Sequence, residues 1–83
     1  MLIRNHVFKI KDIYVPTKRR ETLDPDVVAS IAESMLEEGQ LTPIWVREDG
    51  KRYVLVEGLH RLEACKALGD ETIVCMLVQA RKK

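Results

Sequence analysis

Cysteine is scarce in this chain, with only Cys65 and Cys75 among 83 residues. Two thiols without a CxxC spacing make neither a disulfide framework nor a thiolate metal site. Both lie among apolar neighbours, where a free cysteine behaves as a small hydrophobe. Histidine occurs only at positions 6 and 60, with no Cys or carboxylate cluster at ligand spacing, which argues against zinc. Aromatic residues are limited to one Trp, two Tyr and one Phe. The longest uninterrupted apolar run, Ile73 to Val78, has six residues, whereas a membrane helix requires ~20. The N-terminus mixes Arg4, Asn5, His6 and Lys9 with its apolar residues, so no secretory signal is expected and the expected location is cytoplasmic. Four Gly and three Pro, with 46% hydrophobic and 33% charged residues, form an ordinary globular composition.

A large charge excess is also lacking. The formal net charge is +1, which gives no overall attraction to a polyanion and weighs against a DNA-coating protein. The distribution is uneven. Residues 1–20 carry Arg4, Lys9, Lys11, Lys18, Arg19 and Arg20 against Asp12, whereas residues 21–40 carry six carboxylates and no base. The tail Arg81-Lys82-Lys83 reads as a solvated terminus.

What is present suggests one domain over residues 1–83. Alternation around Val7, Phe8, Ile10, Ile13 and Val15 predicts a strand running into an extended segment that Pro16 closes. Residues 17–23 read as a basic loop. Asp24 is a good N-cap, Pro25 suits the first helical position and Gly39 a helix stop. Between them Val27, Val28, Ile31, Ala32 and Met35 share one helical face. Pro43 opens a strand at Ile44–Arg47, Asp49-Gly50 predicts a hairpin turn, and Tyr53–Glu57 returns. A second helix over Leu59–Leu68 turns Leu62, Cys65 and Leu68 inward and ends at Gly69. Residues 72–78 read as a central strand covered on both faces. The fold class is therefore α/β (α+β), with a small mixed sheet of about four strands and two main helices. So small a domain buries a limited share of its surface, and a homodimer is one way to bury more.

The segment Val56-Glu57-Gly58-Leu59-His60-Arg61 lies where a strand hands over to a helix. Unpartnered amides and the helix dipole favour an anion there. Gly58 permits close backbone approach, Arg61 can fork onto phosphate oxygens, and His60 can donate a hydrogen bond or act as an acid or base. On spacing alone the signal is weak and an ordinary helix start is the readier reading, the segment being neither a P-loop nor GxGxxG. Trp45 suits either a packing role or stacking on a base.

The chain resembles the ParB/sulfiredoxin superfamily in its ParB N-terminal-domain form. The likeness runs through Ile13-Tyr14-Val15-Pro16, Arg19-Arg20, Leu23-Asp24-Pro25, Glu38–Val46, Tyr53–Gly58, His60–Ala64 and Lys66–Gly69. The resemblance implies a nucleotide, CTP or ATP/ADP, whose phosphates are held by Gly58, the Leu59 backbone, His60 and Arg61. It assigns Arg19 and Arg20 to a basic loop reaching toward phosphates and Thr42-Pro43 to the nucleotide pocket. Thr42 stands where ParB proteins usually have Gln. Sulfiredoxins carry a catalytic Cys at the position of Leu59, so their chemistry is not expected here. The helix-turn-helix and dimerisation regions of partition proteins are also not present in these residues, so a stand-alone module is expected. Glu57 is the candidate to bind Mg²⁺ or act as general base in hydrolysis or phosphoryl transfer, with His60 as a second catalytic candidate. Two alternatives stay open: a DNA-binding or nuclease-type ParB-like protein, and a ligand-free adaptor.

Overall fold

The computed structural model describes residues 5–40 and 42–78. Arg4, Leu41 and the Arg81-Lys82-Lys83 tail lie outside the described residues. The strands are β1 (Asn5–Lys9), β2 (Ile13–Tyr14), β3 (Ile44–Asp49), β4 (Arg52–Glu57) and β5 (Thr72–Val78). The helices are α1 (Thr17–Arg20), α2 (Pro25–Glu38) and α3 (Leu59–Ala67). The strands form one mixed sheet in the order β1-β5-β3-β4-β2. β1 runs antiparallel to β5 and β3 to β4, while β3 is parallel to β5 and β2 to β4.

The segment expected as one strand and its extension is split. A 3-10 turn at Ile10–Asp12 interrupts it, so β1 pairs at one edge of the sheet and β2 at the other. Two interactions hold the turn: Ile10 is buried, and its N–H donates to the Glu71 carbonyl at 2.9 Å. Neither is visible in local alternation. β2 is thus the strand added to the expected four. The expected basic loop begins with one helical turn, α1, in which the Arg19 and Arg20 amides donate to the Pro16 carbonyl.

α2 follows the sequence expectation closely. The Asp24 carboxylate accepts the Asp26 N–H at 3.0 Å, and Gly39, with φ +76°, donates to the Met35 carbonyl at 2.8 Å. α2 packs on α3, and no residue of α2 is fully buried. Its apolar stripe covers a helix and leaves Val27 40% exposed. α3 presses Leu59, Leu62 and Cys65 against Ile44, Val46, Leu55, Ile73 and Cys75 on one face of the sheet, the main core.

Strand β5 corrects the expectation of two covered faces. Only Ile73 and Cys75 are buried, while Val74, Met76 and Val78 alternate with them and stay partly exposed. Through the ladder, Val7 and Trp45 share that second face, at 64% and 44% exposure. α3, with α2 packed on it, lies on the opposite side, so this face behaves as the open side of an α+β sheet.

Gln40 completes the sheet in an unexpected way. Strand β3 reaches β5 only from the pair Ile44 and Cys75 onward. Beyond it, the Gln40 side-chain amide takes the place of a strand. Val74 N–H donates to Gln40 Oε1 at 2.8 Å, and Gln40 Nε2 donates to the Val74 carbonyl at 2.9 Å and to the Thr42 carbonyl at 3.0 Å. Replacing Gln40 by Ala orphans both peptide groups of Val74, and urea unfolding should report a loss of about 2–3 kcal/mol. A loss within 0.5 kcal/mol would mean water replaces the amide.

Candidate functional site

The handover from β4 to α3 rests on Gly58. Its φ is +110°, and a Cβ placed there would lie 2.6 Å from Ile44 Cγ2 and 2.9 Å from Ile44 Cβ. Backbone conformation and space both demand glycine. Ile44 is 1% exposed and opens β3, so the turn is pressed onto an immovable part of the core. The first α3 hydrogen bond runs from Leu62 N–H to the Gly58 carbonyl at 3.0 Å. The amides of Leu59, His60 and Arg61 precede it, and no side chain caps the helix. Such groups, backed by the dipole, suit an anion. The Leu59 side chain is buried in the core, so its backbone is what it offers the surface.

These groups face a cleft of about 290 Å³. Arg19 and Thr22 line one side, Val27 and Ile31 of α2 another, and Glu57 through Arg61 the third. Two contacts span it. Arg19 Nη1 lies 3.7 Å from Glu57 Oε1, with both side chains well exposed, so the pair is weak and opens at little cost. His60 Nε2 accepts the Asp24 N–H at 3.0 Å, which ties the start of α3 to the cap of α2. As an acceptor, that nitrogen carries no proton, and the neutral ring holds its hydrogen on Nδ1.

The structure therefore gathers Arg19, Glu57, Gly58, Leu59, His60 and Arg61 in one cleft. It leaves Arg20, Thr42 and Pro43 outside that lining. Successive residues of a helix point about 100° apart, and Arg20 lines a different cavity with Lys11, Lys51 and Arg52. Thr42 and Pro43 precede β3, immediately before the isoleucine that Gly58 touches. Thr22, Val27 and Ile31 were not anticipated in the site. Val27 and Ile31 are four residues apart on α2, a spacing that sequence reading assigns to packing.

Glu57 is the carboxylate of the cleft lining, and the described residues contain no group of three His, Cys, Asp or Glu that would hold a metal alone. This donor set fits Mg²⁺ arriving with nucleotide phosphates, since that ion keeps waters and takes one or two carboxylates. Neither thiol lines the cleft. Cys65 and Cys75 are buried in the core. Burial pushes both up from 9.0 to about 11, with the Asp70 carboxylate adding to the effect at Cys65.

A small mixed sheet with an anion-competent strand-to-helix turn defines the class, and comparison with known proteins gives the family. The chain matches the ParB N-terminal domain model over residues 4–83 and belongs to that family. It is 32% identical over 62 residues to a probable chromosome-partitioning protein ParB of Campylobacter jejuni, covering 75% of this chain and 22% of that protein. The chain thus spans about a fifth of this relative's length. Among solved structures it is similar to sulfiredoxin from Arabidopsis thaliana, with TM-score 0.84 and 28% identity over 93% of this chain and 86% of that one. It is also similar to a C-terminally truncated Caulobacter crescentus ParB complexed with CTP-γ-S. There the TM-score is 0.81 and identity 24%, over 95% of this chain and 46% of that one.

Gly58→Ala should cost about 2–4 kcal/mol, from the strained φ and the clash with Ile44. Urea unfolding reads it directly, and a loss below 1 kcal/mol would show that Ile44 yields. Both thiols should resist a maleimide at pH 7.5 until urea is added, because neither is exposed or ionised. Stability should also fall as pH rises from 9 toward 11. Over that interval the unfolded chain releases its thiol protons while the folded chain keeps them. A flat profile would contradict the raised values.

Proposed function

We propose that this domain binds a nucleotide, with its phosphates in the Arg19–Arg61 cleft. The observation that carries the reading is the convergence there of three uncapped amides, two arginines and one histidine. In this reading the amides of Leu59, His60 and Arg61 cradle phosphate oxygens and Gly58 permits their approach. The Arg61 guanidinium supplies planar paired donors. Arg19 leaves Glu57 for the ligand, and the freed carboxylate is then available to Mg²⁺ or to an acceptor hydroxyl. Once its link to Asp24 opens, His60 Nε2 is free to take up a proton and donate it in a hydrogen bond to the ligand. Val27 and Ile31 offer an apolar wall to the nucleoside. Thr42 and Pro43, beside the same turn, serve the far end of the nucleotide, and Arg20 assists from the neighbouring cavity.

The Caulobacter neighbour, solved with CTP-γ-S, supports CTP as the first candidate base, with ATP and ADP as alternatives. Hydrolysis or transfer would rest on Glu57 and His60. Little covalent chemistry is required of a protein in phosphoryl transfer, so positioning and charge suffice.

Thermal unfolding with CTP, ATP, ADP and GTP, with and without Mg²⁺, tests the reading. A nucleotide at 100 times its dissociation constant adds about 2.7 kcal/mol, a rise of roughly 10–20 °C for a domain of this size. The rise should vanish in Arg61→Ala and shrink in Arg19→Ala. No rise with any nucleotide would favour the adaptor reading.

A further inference from the structure

The sheet face opposite α3 is closed over one half and bare over the other. On the closed half, Val54 of β4 pairs with Arg47 of β3 and Tyr14 of β2, and Arg52 stacks 4.2 Å over the Tyr14 ring. Val54 is only 3% exposed there, although α3 packs on the other face. On the bare half, Val7 of β1 pairs with Val74 of β5, and Trp45 of β3 pairs with Met76 of β5. Val78 continues the row along β5. None of these five is buried, and Val7 and Trp45 are the most open of them. Polar residues frame the patch: Asn5 and Lys9 on β1, Thr72 at the start of β5, and Arg47 beside Val78.

We infer that this half-face seats the same half-face of a second copy of the chain, forming a weak two-fold dimer. An apolar patch with a polar frame is the surface of a protein contact, and Trp and Met are enriched at the centres of such contacts. The sheet margins are poor alternatives, because β2 has two residues and β1 carries exposed Asn5 and Lys9. Two sheets pack face to face when their twists match, and a second copy has the same twist by construction. The shape is also self-complementary. β5 runs between β1 and β3, so a two-fold axis along β5 sets each Trp45 against the β1 side of the partner, where the smaller Val7 leaves room.

Area sets the strength. With strands about 4.8 Å apart and a rise of about 3.3 Å per residue, β1, β5 and β3 present roughly 300 Å² in projection. A standard interface removes about 800 Å² from each partner, roughly an eighth of this domain's 6322 Å². The patch falls below that size, so the pair is reversible and forms at high micromolar concentration rather than being obligate. This inference does not rest on the nucleotide reading, since the cleft is walled by α2 and the start of α3.

Sedimentation equilibrium of the intact chain at 5–500 µM, without nucleotide, tests it. Trp45 is the single tryptophan, so its fluorescence reports the same equilibrium. The chain should pass from monomer to dimer across this range, with Trp45 emission moving to shorter wavelength in parallel, and 0.5 M NaCl should leave the transition in place. Val7→Glu should raise the dissociation constant at least tenfold and remove the wavelength change. Val7→Ile should keep both. Leu36→Ser, which removes a more exposed apolar side chain from α2, should leave the constant within twofold. Circular dichroism confirms that each variant is folded. Four outcomes would overturn the inference: a monomer up to 500 µM, a dimer unchanged by Val7→Glu, an equal loss in Leu36→Ser, or growth beyond the dimer as concentration rises.

Discussion

The contact between Gly58 and Ile44 is the constraint on which the rest of the structure depends. One methyl group fewer at position 58 lets β4 turn into α3 directly above the first residue of β3. That approach fixes where α3 begins, and hence where its unpartnered amides point. It also sets the depth at which Leu59 and Leu62 enter the core. α2 then rests on α3 and forms a wall of the cleft. A loose turn would disperse the amides and the α2 wall together, because both take their position from the same few atoms.

Around that fixed turn the cleft is closed by weak contacts. The ion pair of Arg19 and Glu57 is exposed, and the His60 link to Asp24 is a single hydrogen bond. Strong elements therefore hold the uncapped amides, while weak ones hold the side chains that would rearrange in the proposed binding. This division suits a binding site: the geometry that would orient the proposed phosphate is preorganised, and the groups around it are held by weak contacts.

Much of this was legible in the sequence where the determinants are local. Asp24, Pro25 and Gly39 bracket α2 because caps act within a turn of the residues they serve. Asp49-Gly50 marks the hairpin for the same reason. Gly58 to Arg61 stood out as a helix start, and the family resemblance suggested the ligand class proposed for it. What was not legible depends on distant partners. β2 has two residues and exists because β4 is there to pair with it. Gln40 looks like a loop residue until Val74 is seen beside it. Arg19 and Arg20 are indistinguishable in a basic run, and only the helical turn sends them to different cavities. The grouping of Lys11, Arg20, Lys51 and Arg52 was hidden by adding charges along the chain, which averages residues that the parallel register later brings together.

The crossing of the sheet by the N-terminal segment has a further consequence. β1 and β2 sit on opposite margins, so one stretch of about ten residues blocks both to strand addition from another molecule. Each margin is blunted in its own way. Exposed Asn5 and Lys9 flank β1, while β2 is cut short before Pro16. Without this stretch, β4 and β5 would both present open backbone. The two margins are therefore guarded together: releasing this one stretch would uncover β4 and β5 at once.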